Sequence, residues 1–120
     1  MTPNVAIVQA WIAAVNAADV DAVLALSAPD IGIAGPRGTA KGHEPLRAWL
    51  GHAGATFEPV GTFHRGDSVV VAHLGVWPDG DGPVEGATRF RVRDGQVAEM
   101  ERYSSILEAL RTAGLTMRDI

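Results

Sequence analysis

Two residues of this sequence lie where a polar side chain is costly, and both could take part in proton transfer. His73 interrupts the apolar run Val69-Val70-Val71-Ala72-His73-Leu74, and imidazole is the side chain best suited to act as a general base near neutral pH. Arg102 falls on the inward row of the last predicted strand, where a buried guanidinium needs a partner or a solvated cavity. Such an arginine can bind a carboxylate or polarise a carbonyl.

Structural roles are the alternatives for both residues. His73 could be a hydrogen-bonded histidine of the core or of the outer face, which is the more common situation for a histidine in a strand. Arg102 could form a structural ion pair, or extend its charged end to solvent at the sheet edge. The pattern of residue types leaves these roles and the functional ones open.

The other polar residues form no familiar catalytic or metal-binding pattern. The four histidines are scattered and the chain has no cysteine, so we predict neither a metal site nor a cofactor. The run from Gly35 to Gly42 lacks the second glycine and the Ser or Thr of a phosphate loop, and we expect a strand-to-helix turn there. Ser104 and Ser105 have no identifiable base. Glu99 and Glu101 are interpreted as cross-strand partners of arginines.

The composition predicts one domain, residues 1–120. Hydrophobic residues make up 47% and charged residues 20% of the 120-residue chain, which is enough apolar surface for a core without disulfides. The net charge of −4, with acids and bases interspersed, favours neither nucleic acid nor a membrane as a partner. No run reaches the roughly 18 apolar residues of a membrane span. We therefore expect a cytoplasmic protein, as the absence of cysteine also suggests.

Capping residues and apolar periodicity predict three N-terminal helices. Residues that favour helix starts are Thr2-Pro3, Asp19 and Gly42, and residues that favour helix ends are Pro29-Asp30 and Gly54. The apolar residues at helical spacing are Val8, Trp11, Ile12 and Val15, then Val20, Val23 and Leu24, then Leu46, Trp49 and Leu50. A short strand from Ile31 to Gly35 separates the second helix from the third.

From Thr56 onward the pattern changes to strands of β-branched and aromatic residues joined by hairpin turns. The turns are expected at Arg65-Gly66-Asp67, at the segment from Pro78 to Pro83, and at Asp94-Gly95. A short helix from Ser104 to Ala113 follows, with Gly114 as its left-handed cap. The fold class is therefore α+β.

The register of the last hairpin decides which side chains face the core. A two-residue turn would pair Arg93 with Gln96 and mix charged and apolar residues on both faces. A three-residue loop would pair Val92 with Gln96 and separate the two kinds, so we predict this register. The inward residues would be Thr88, Phe90, Val92, Ala98 and Met100, continued by Arg102, and the outward ones Arg89, Arg91, Arg93, Glu99, Glu101 and Tyr103.

Three segments resemble the SnoaL-like branch of the nuclear transport factor two-like superfamily, which includes ketosteroid isomerases and polyketide cyclases. They are Trp11-Ile12-Ala13-Ala14-Val15-Asn16-Ala17-Ala18-Asp19-Val20-Asp21, then Gly35-Pro36-Arg37-Gly38 with Gly42-His43-Glu44, and Phe90-Arg91-Val92-Arg93-Asp94-Gly95-Gln96-Val97. The resemblance implies a cone-shaped α+β barrel in which three N-terminal helices pack on a strongly curved, mostly antiparallel sheet. It also implies a deep pocket and a homodimer.

The catalytic residues of that superfamily do not carry over to this chain. The oxyanion tyrosine of ketosteroid isomerases falls on Trp11, their general-base aspartate on Gly35 and their second aspartate near Thr88. The last-strand acid of SnoaL-type cyclases falls near Arg102, which has the opposite charge.

Two functions follow as expectations. The first is an isomerase, cyclase or hydratase that acts on a small apolar, polyketide- or terpenoid-like molecule, with His73 as base and Arg102 or Trp11 polarising an oxygen. The second is a binding or dimerisation module without chemistry. The expected pocket residues are Trp11, Val15, Ile33, Trp49, Thr88, Phe90 and Met100. The homodimer is expected to use the outer sheet face, with Tyr103, Val97 and the Arg/Glu pairs.

Overall fold

The computed structural model describes residues 3–35, 38–53, 56–77, 80 and 82–119, which form four helices and one six-stranded sheet. The helices are α1 (Pro3–Asn16), α2 (Val20–Ala25), α3 (His43–Ala53) and α4 (Ile106–Ala113). The strands are β1 (Ser27–Gly35), β2 (Gly38–Lys41), β3 (Thr56–Arg65), β4 (Ser68–Val76), β5 (Val84–Arg93) and β6 (Gln96–Tyr103). The predicted α+β class, with three N-terminal helices and a short C-terminal helix, is confirmed.

The sheet is curved, open and mostly antiparallel, with the strand order β2-β1-β6-β5-β4-β3. Only the β1–β6 pair among the described strands is parallel. Its inner face packs against α1, α2 and α3 around one large apolar cluster, and its outer face carries α4 over a second, smaller cluster. No helix in the described part of the chain is long and apolar enough to span a bilayer.

Local capping signals were read correctly from the sequence. Asp19 accepts a hydrogen bond from the Ala22 amide at the start of α2, and Gly114 takes the left-handed conformation after α4, with φ of 73°.

Some of the predicted start and turn residues lie outside the described residues. These are Thr2, Pro36, Arg37, Gly54, Pro78, Asp79 and Asp81.

Helix α2 ends earlier than Pro29, where the sequence analysis placed its end. Its last residue is Ala25, and β1 begins at Ser27 and already contains Pro29. The helix ends early because of a contact with a distant strand. The Leu26 carbonyl accepts a hydrogen bond from the Val97 amide, and the chain continues from there as a strand paired with β6. The ladder is irregular between Ser27 and Gly32, which is where a proline without an N–H can be accommodated in a strand.

The segment from Gly38 to Lys41 is a strand, whereas a strand-to-helix turn was predicted. It pairs with β1 as an antiparallel edge strand, with Gly35 opposite Gly38 and Gly32 opposite Lys41. All four residues of β2 are exposed, so the sequence has no buried alternation there to reveal a strand. Helix α3 then begins at His43, directly after Gly42, whose φ of 99° suits glycine.

The predicted register of the last hairpin is wrong. The turn has two residues, so Arg93 pairs with Gln96 and Val92 with Val97, and the ladder then shifts so that Arg91 faces Glu99. Ala98 is the extra residue of this bulge in β6. Because of the bulge, the charged side chains lie on one face of the hairpin and the apolar side chains on the other. The three-residue loop was predicted in order to obtain this same separation.

The change of register moves Val97 to the inner face of the sheet and Ala98 to the outer face, and the apolar residues Phe90 and Met100 keep their predicted face. Val97 is fully buried in the inner cluster, and Ala98 borders a groove on the outer face. The outer-face role expected of Val97 in a dimer is therefore incorrect. Phe90, Met100 and Arg102 keep their predicted inward positions, because Phe90 pairs with Met100 and Thr88 with Arg102.

A buried hydrogen-bond chain joins α1, α2 and the start of β1. The Trp11 indole donates from Nε1 to Ser27 Oγ over 2.9 Å, and this hydroxyl donates to the Val23 carbonyl over 2.7 Å. Ser27 has no exposed surface, so water cannot replace it as the indole's acceptor. The chain fixes both the position of α1 and the orientation of Trp11.

We expect Ser27→Ala to lower the free energy of unfolding by about 1–3 kcal/mol, because it leaves the buried indole N–H without an acceptor. Urea titration followed by far-ultraviolet circular dichroism measures this change. Ser104→Ala, at an exposed position, is the control and should change the stability by less than about 0.5 kcal/mol. Equal stabilities of the two variants would contradict the assignment.

Candidate functional site

The two residues singled out from the sequence lie close together on the inner face of the sheet. In the ladder, His73 of β4 is opposite Gly86 of β5, and Thr88 of β5 is opposite Arg102 of β6. Side chains of alternate residues point to one face of a strand, so His73, Thr88 and Arg102 share the face that α1 and α3 cover. The sheet thus joins a base and a cation that are far apart in the sequence.

His73 is buried with only one of its ring nitrogens hydrogen-bonded. The side chain is 5% exposed, and Nε2 lies 2.8 Å from Thr88 Oγ1. The Phe57 ring meets the imidazole edge to face, with 5.0 Å between centroids. Among the described residues, Nδ1 has no hydrogen-bond partner, and the atom is itself buried, so a ligand would reach it only after neighbouring side chains move.

Burial, and to a smaller extent the positive charge of Arg102, together lower the pKa of His73 from 6.5 to about 4. Both causes disfavour the imidazolium form, one by desolvation and the other by repulsion. The ring is therefore neutral at neutral pH and can accept a proton on its unbonded nitrogen.

Arg102 is half-buried and forms no ion pair with any described residue. Its guanidinium carbon lies 5.7 Å from the centroid of the Phe57 ring and 5.1 Å from that of the Trp77 ring. Burial lowers the pKa of Arg102, but guanidinium remains charged at any physiological pH. The structural ion pair considered from the sequence is therefore absent from this part of the chain, and aromatic faces take its place.

Two residues of this site, Phe57 and Trp77, were not identified from the sequence. Trp77 follows His73 at a spacing of four, which places both on one face of a strand, and this alternation was a usable signal. Phe57 is placed by its pairing with Gly75, a register that the sequence alone did not give. Asn16 holds Phe57 by exchanging two hydrogen bonds of 2.8 Å with its backbone.

The aromatic rings form a continuous chain through the interior. Trp11 lies 6.4 Å from Trp49 and 5.4 Å from Phe90, and Trp49 lies 6.5 Å from Phe57, all between ring centroids. Phe57 in turn meets Trp77 at 5.8 Å. These rings fill much of the space that the sequence analysis assigned to an open pocket.

The predicted pocket residues divide between the packed core and one small cavity. Val15 and Trp49 border a cavity of about 90 Å³ between α1, α2, α3 and the start of β3. Ile33 is partly buried against the core, and the remaining predicted residues are buried: Trp11, Thr88, Phe90 and Met100. The Trp11 N–H is bonded to Ser27 and is not free to polarise a ligand oxygen.

A larger groove of about 600 Å³ lies on the outer face, away from His73 and Arg102. Arg91 pairs there with Asp67 and Glu99, and Arg93 pairs with Asp30. The predicted cross-strand pairing of arginines with Glu99 and Glu101 is confirmed. Within the described ranges, no three His, Asp or Glu side chains are grouped as metal ligands.

The chain is similar to one family of domains and to many solved structures. The SnoaL-like domain family matches residues 8–100, whereas no curated protein matches the chain. An NTF2-like protein of unknown function from Cytophaga hutchinsonii has a TM-score of 0.78 at 15% identity, with 83% of this chain and 88% of that chain covered. The resemblance seen in the sequence and the cone fold that it implied are both confirmed.

Two further solved structures have names that mention small molecules. TerC, co-crystallised with polyporic acid, is 23% identical, with 89% of this chain and 95% of that chain covered and a TM-score of 0.78. A protein from Sinorhizobium meliloti, provisionally assigned as a polyketide cyclase, is 24% identical, with 80% and 92% covered and a TM-score of 0.74. At these identities the likeness shows the fold alone.

The lowered pKa of His73 predicts a pH-dependent loss of stability. Between pH 6.5 and about 4, the unfolded chain binds a proton at this histidine that the folded chain does not. The free energy of unfolding therefore falls as the pH falls through this range, with a contribution from His73 of up to about 3 kcal/mol.

Urea titrations of the wild type and of His73→Gln at pH 7, 6, 5 and 4.5 measure this contribution. The variant should lose less stability on acidification, because glutamine does not titrate. Parallel profiles for the wild type and His73→Gln would show that His73 is not held neutral by the fold.

Proposed function

The chain belongs to the SnoaL-like domain family, and we propose that it binds a small, mostly apolar molecule against the inner face of its sheet and moves a proton on it. The observation that carries this proposal is the pairing of an electrically neutral His73 with an Arg102 that has no carboxylate partner in the described chain. A base and a cation brought together in an apolar enclosure suit the formation of an enolate from a carbonyl compound.

In the proposed step, Nδ1 of His73 takes a proton from the carbon next to a ligand carbonyl. The electron pair of the broken C–H bond moves onto the carbonyl oxygen, and Arg102 stabilises the negative charge there. The imidazolium formed is held by Nε2–H donating to Thr88 Oγ1. Return of the proton to a different carbon completes an isomerisation. Attack of the enolate carbon on a second carbonyl would form a ring and an alkoxide, and transfer of the proton from the imidazolium to this alkoxide would complete a cyclisation.

The low pKa of His73 makes it a weak base, so the cation must supply much of the driving force. A base of pKa about 4 is unprotonated at every physiological pH, but it has a small affinity for the proton it accepts. Arg102 offsets this weakness, because a buried positive charge stabilises the enolate more than it would in water. Activity should therefore depend on both residues together.

Binding without chemistry is the second candidate, and the composition of the buried site favours it. The only buried polar or charged residues in the described chain are Ser27, His73 and Thr88, and none is a carboxylate. A protein that only binds a ligand needs no acid, and Arg102 alone could hold a carbonyl or carboxylate. The two candidates are separated by whether a bound ketone exchanges its protons.

Proton exchange on 2-tetralone is a direct test, because this small apolar ketone has acidic hydrogens next to its carbonyl. In deuterium oxide at neutral pH, we expect the protein to accelerate the loss of these hydrogens, followed by proton NMR. His73→Gln and Arg102→Gln should each reduce the acceleration at least tenfold, in keeping with the roughly 10²–10⁴-fold contribution of a positioned acid or base.

The matched control is His64→Gln, which removes a half-buried histidine of β3 outside the cluster. This variant should keep the wild-type exchange rate. If 2-tetralone stabilises the protein thermally but exchanges no faster than in buffer, the binding candidate replaces the catalytic one. Equal losses in both histidine variants would mean that exchange does not occur at His73.

We also propose a homodimer formed through the part of the outer sheet face that α4 leaves open. Helix α4 and Tyr103 cover one half of this face, while the other half presents the groove with Lys41, Arg91 and Glu99. Alternating charges of both signs suit an isologous interface, in which each arginine of one copy meets a glutamate of the other.

Sedimentation velocity at micromolar concentration should give the mass of a dimer, and Arg91→Glu should shift the distribution toward the monomer. Arg91 is exposed and its two ion pairs are exposed as well, so the reversal should cost little folding stability. Arg47→Glu, on the exposed side of α3, is the control. A monomeric wild type would refute the proposal.

A further inference from the structure

We propose that Arg102 and Phe57 form a clamp for a flat aromatic anion, and that the Trp77 indole occupies the ligand's place in the empty protein. The inference rests on the proposed function in one respect, since it assigns a ligand class to the same site. It concerns recognition alone and does not need the proton transfer at His73.

The charge of the ligand follows from Arg102, whose charge no described carboxylate neutralises. A half-buried guanidinium without a carboxylate partner in the described residues has five N–H donors in a planar fork, a geometry that matches a carboxylate or an acidic enol. The neighbouring His73 is neutral and offers no competing positive charge at neutral pH. A negative ligand group would thus give Arg102 an ionic partner that the described residues do not provide.

The flatness of the ligand follows from the two rings around the guanidinium. Phe57 and Trp77 meet at 86°, and Arg102 lies over both at 5.7 and 5.1 Å. The two rings form a corner with the guanidinium at its bottom. A planar aromatic group that replaces the indole there can contact Phe57 while its anionic substituent reaches the guanidinium.

Trp77 is placed so that it can leave this corner. It directly follows the last residue of β4, it is half-buried, and its indole nitrogen makes no hydrogen bond to any described residue. The indole lies close to Gly75, where an added Cβ would be 2.7 Å from the ring. Moving the indole out therefore breaks no hydrogen bond to a described residue, and a ligand ring would restore the buried apolar contact.

Binding of a bicyclic ring would also require the indole to move, because the interior has little free volume. The cavity bordered by Trp49 measures about 90 Å³, well below the roughly 300 Å³ at which ligand pockets usually begin. Departure of an indole from the corner would add the space that a bicyclic ring needs. Trp77 is the ring that covers Arg102, so its departure would expose the guanidinium to a ligand.

The test compares two probes on the full chain by isothermal titration calorimetry. The probes are 2-naphthoate and its neutral analogue 2-naphthamide, which share the ring and differ in charge. The wild type should bind naphthoate at least tenfold more tightly than naphthamide, and Arg102→Gln should abolish this preference. Trp77→Ala should bind naphthoate at least threefold more tightly than the wild type, because the ligand no longer competes with the indole.

Arg93→Gln is the control, since it removes an equal charge from the outer face and should leave both affinities unchanged. If Arg102→Gln does not fold, Arg102→Lys replaces it, and this variant should bind naphthoate at least threefold more weakly because it loses the planar fork. Equal affinity of the wild type for the two probes, or weaker binding of naphthoate by Trp77→Ala, would overturn the clamp.

The outcome is separable from that of the proton-exchange test. Exchange of 2-tetralone without a preference for naphthoate would leave the proposed function standing and remove only the clamp. A preference for naphthoate without exchange would keep the clamp in a protein that binds and does not catalyse.

Discussion

The bulge at Ala98 in β6 is the constraint on which the arrangement of the interior depends. The Asp94-Gly95 turn fixes Val92 opposite Val97, and in a regular ladder this register would send Glu99 and Glu101 to the same face as Phe90. Burying two carboxylates without partners would cost far more than one irregular residue in a strand. The bulge moves the glutamates outward to the arginines of β5 and brings Met100 and Arg102 inward.

The features that could be predicted from the sequence are those that depend on residues close together in the chain. The Asp19 cap, the Gly114 cap and the start of β3 at Thr56 depend on residues a few positions apart, and each was identified. The end of α2, the edge strand β2 and the register of the last hairpin depend on pairing with β1 or β6, which no short window of residues contains. The inward position of Arg102 was identified because the predicted three-residue loop and the observed turn with its bulge both place Arg102 on the inner face.

The sequence identified two residues of the candidate site but not their surroundings, because the surroundings depend on strand pairing. His73 and Arg102 attract attention as polar residues in apolar strands, but their shared environment depends on the order β6-β5-β4-β3. The contacts with Thr88, Phe57 and Trp77 follow from three ladder registers at once. These contacts keep the histidine neutral and surround the arginine with aromatic rings instead of a described carboxylate, so the chemistry of the pair is a property of the sheet rather than of either residue.

The parallel pairing of β1 with β6 has a consequence for how the chain reaches its folded state. Ile33 pairs with Met100, with most of the chain between them, so the loop-closure entropy must be overcome before this contact forms. During synthesis the N-terminal helices and β1 are complete long before β6 leaves the ribosome. Helix α1 also packs on β3, β4 and β5, so only the part of its apolar face that β6 covers waits for this strand, and the β1–β6 pair is expected to form late in folding.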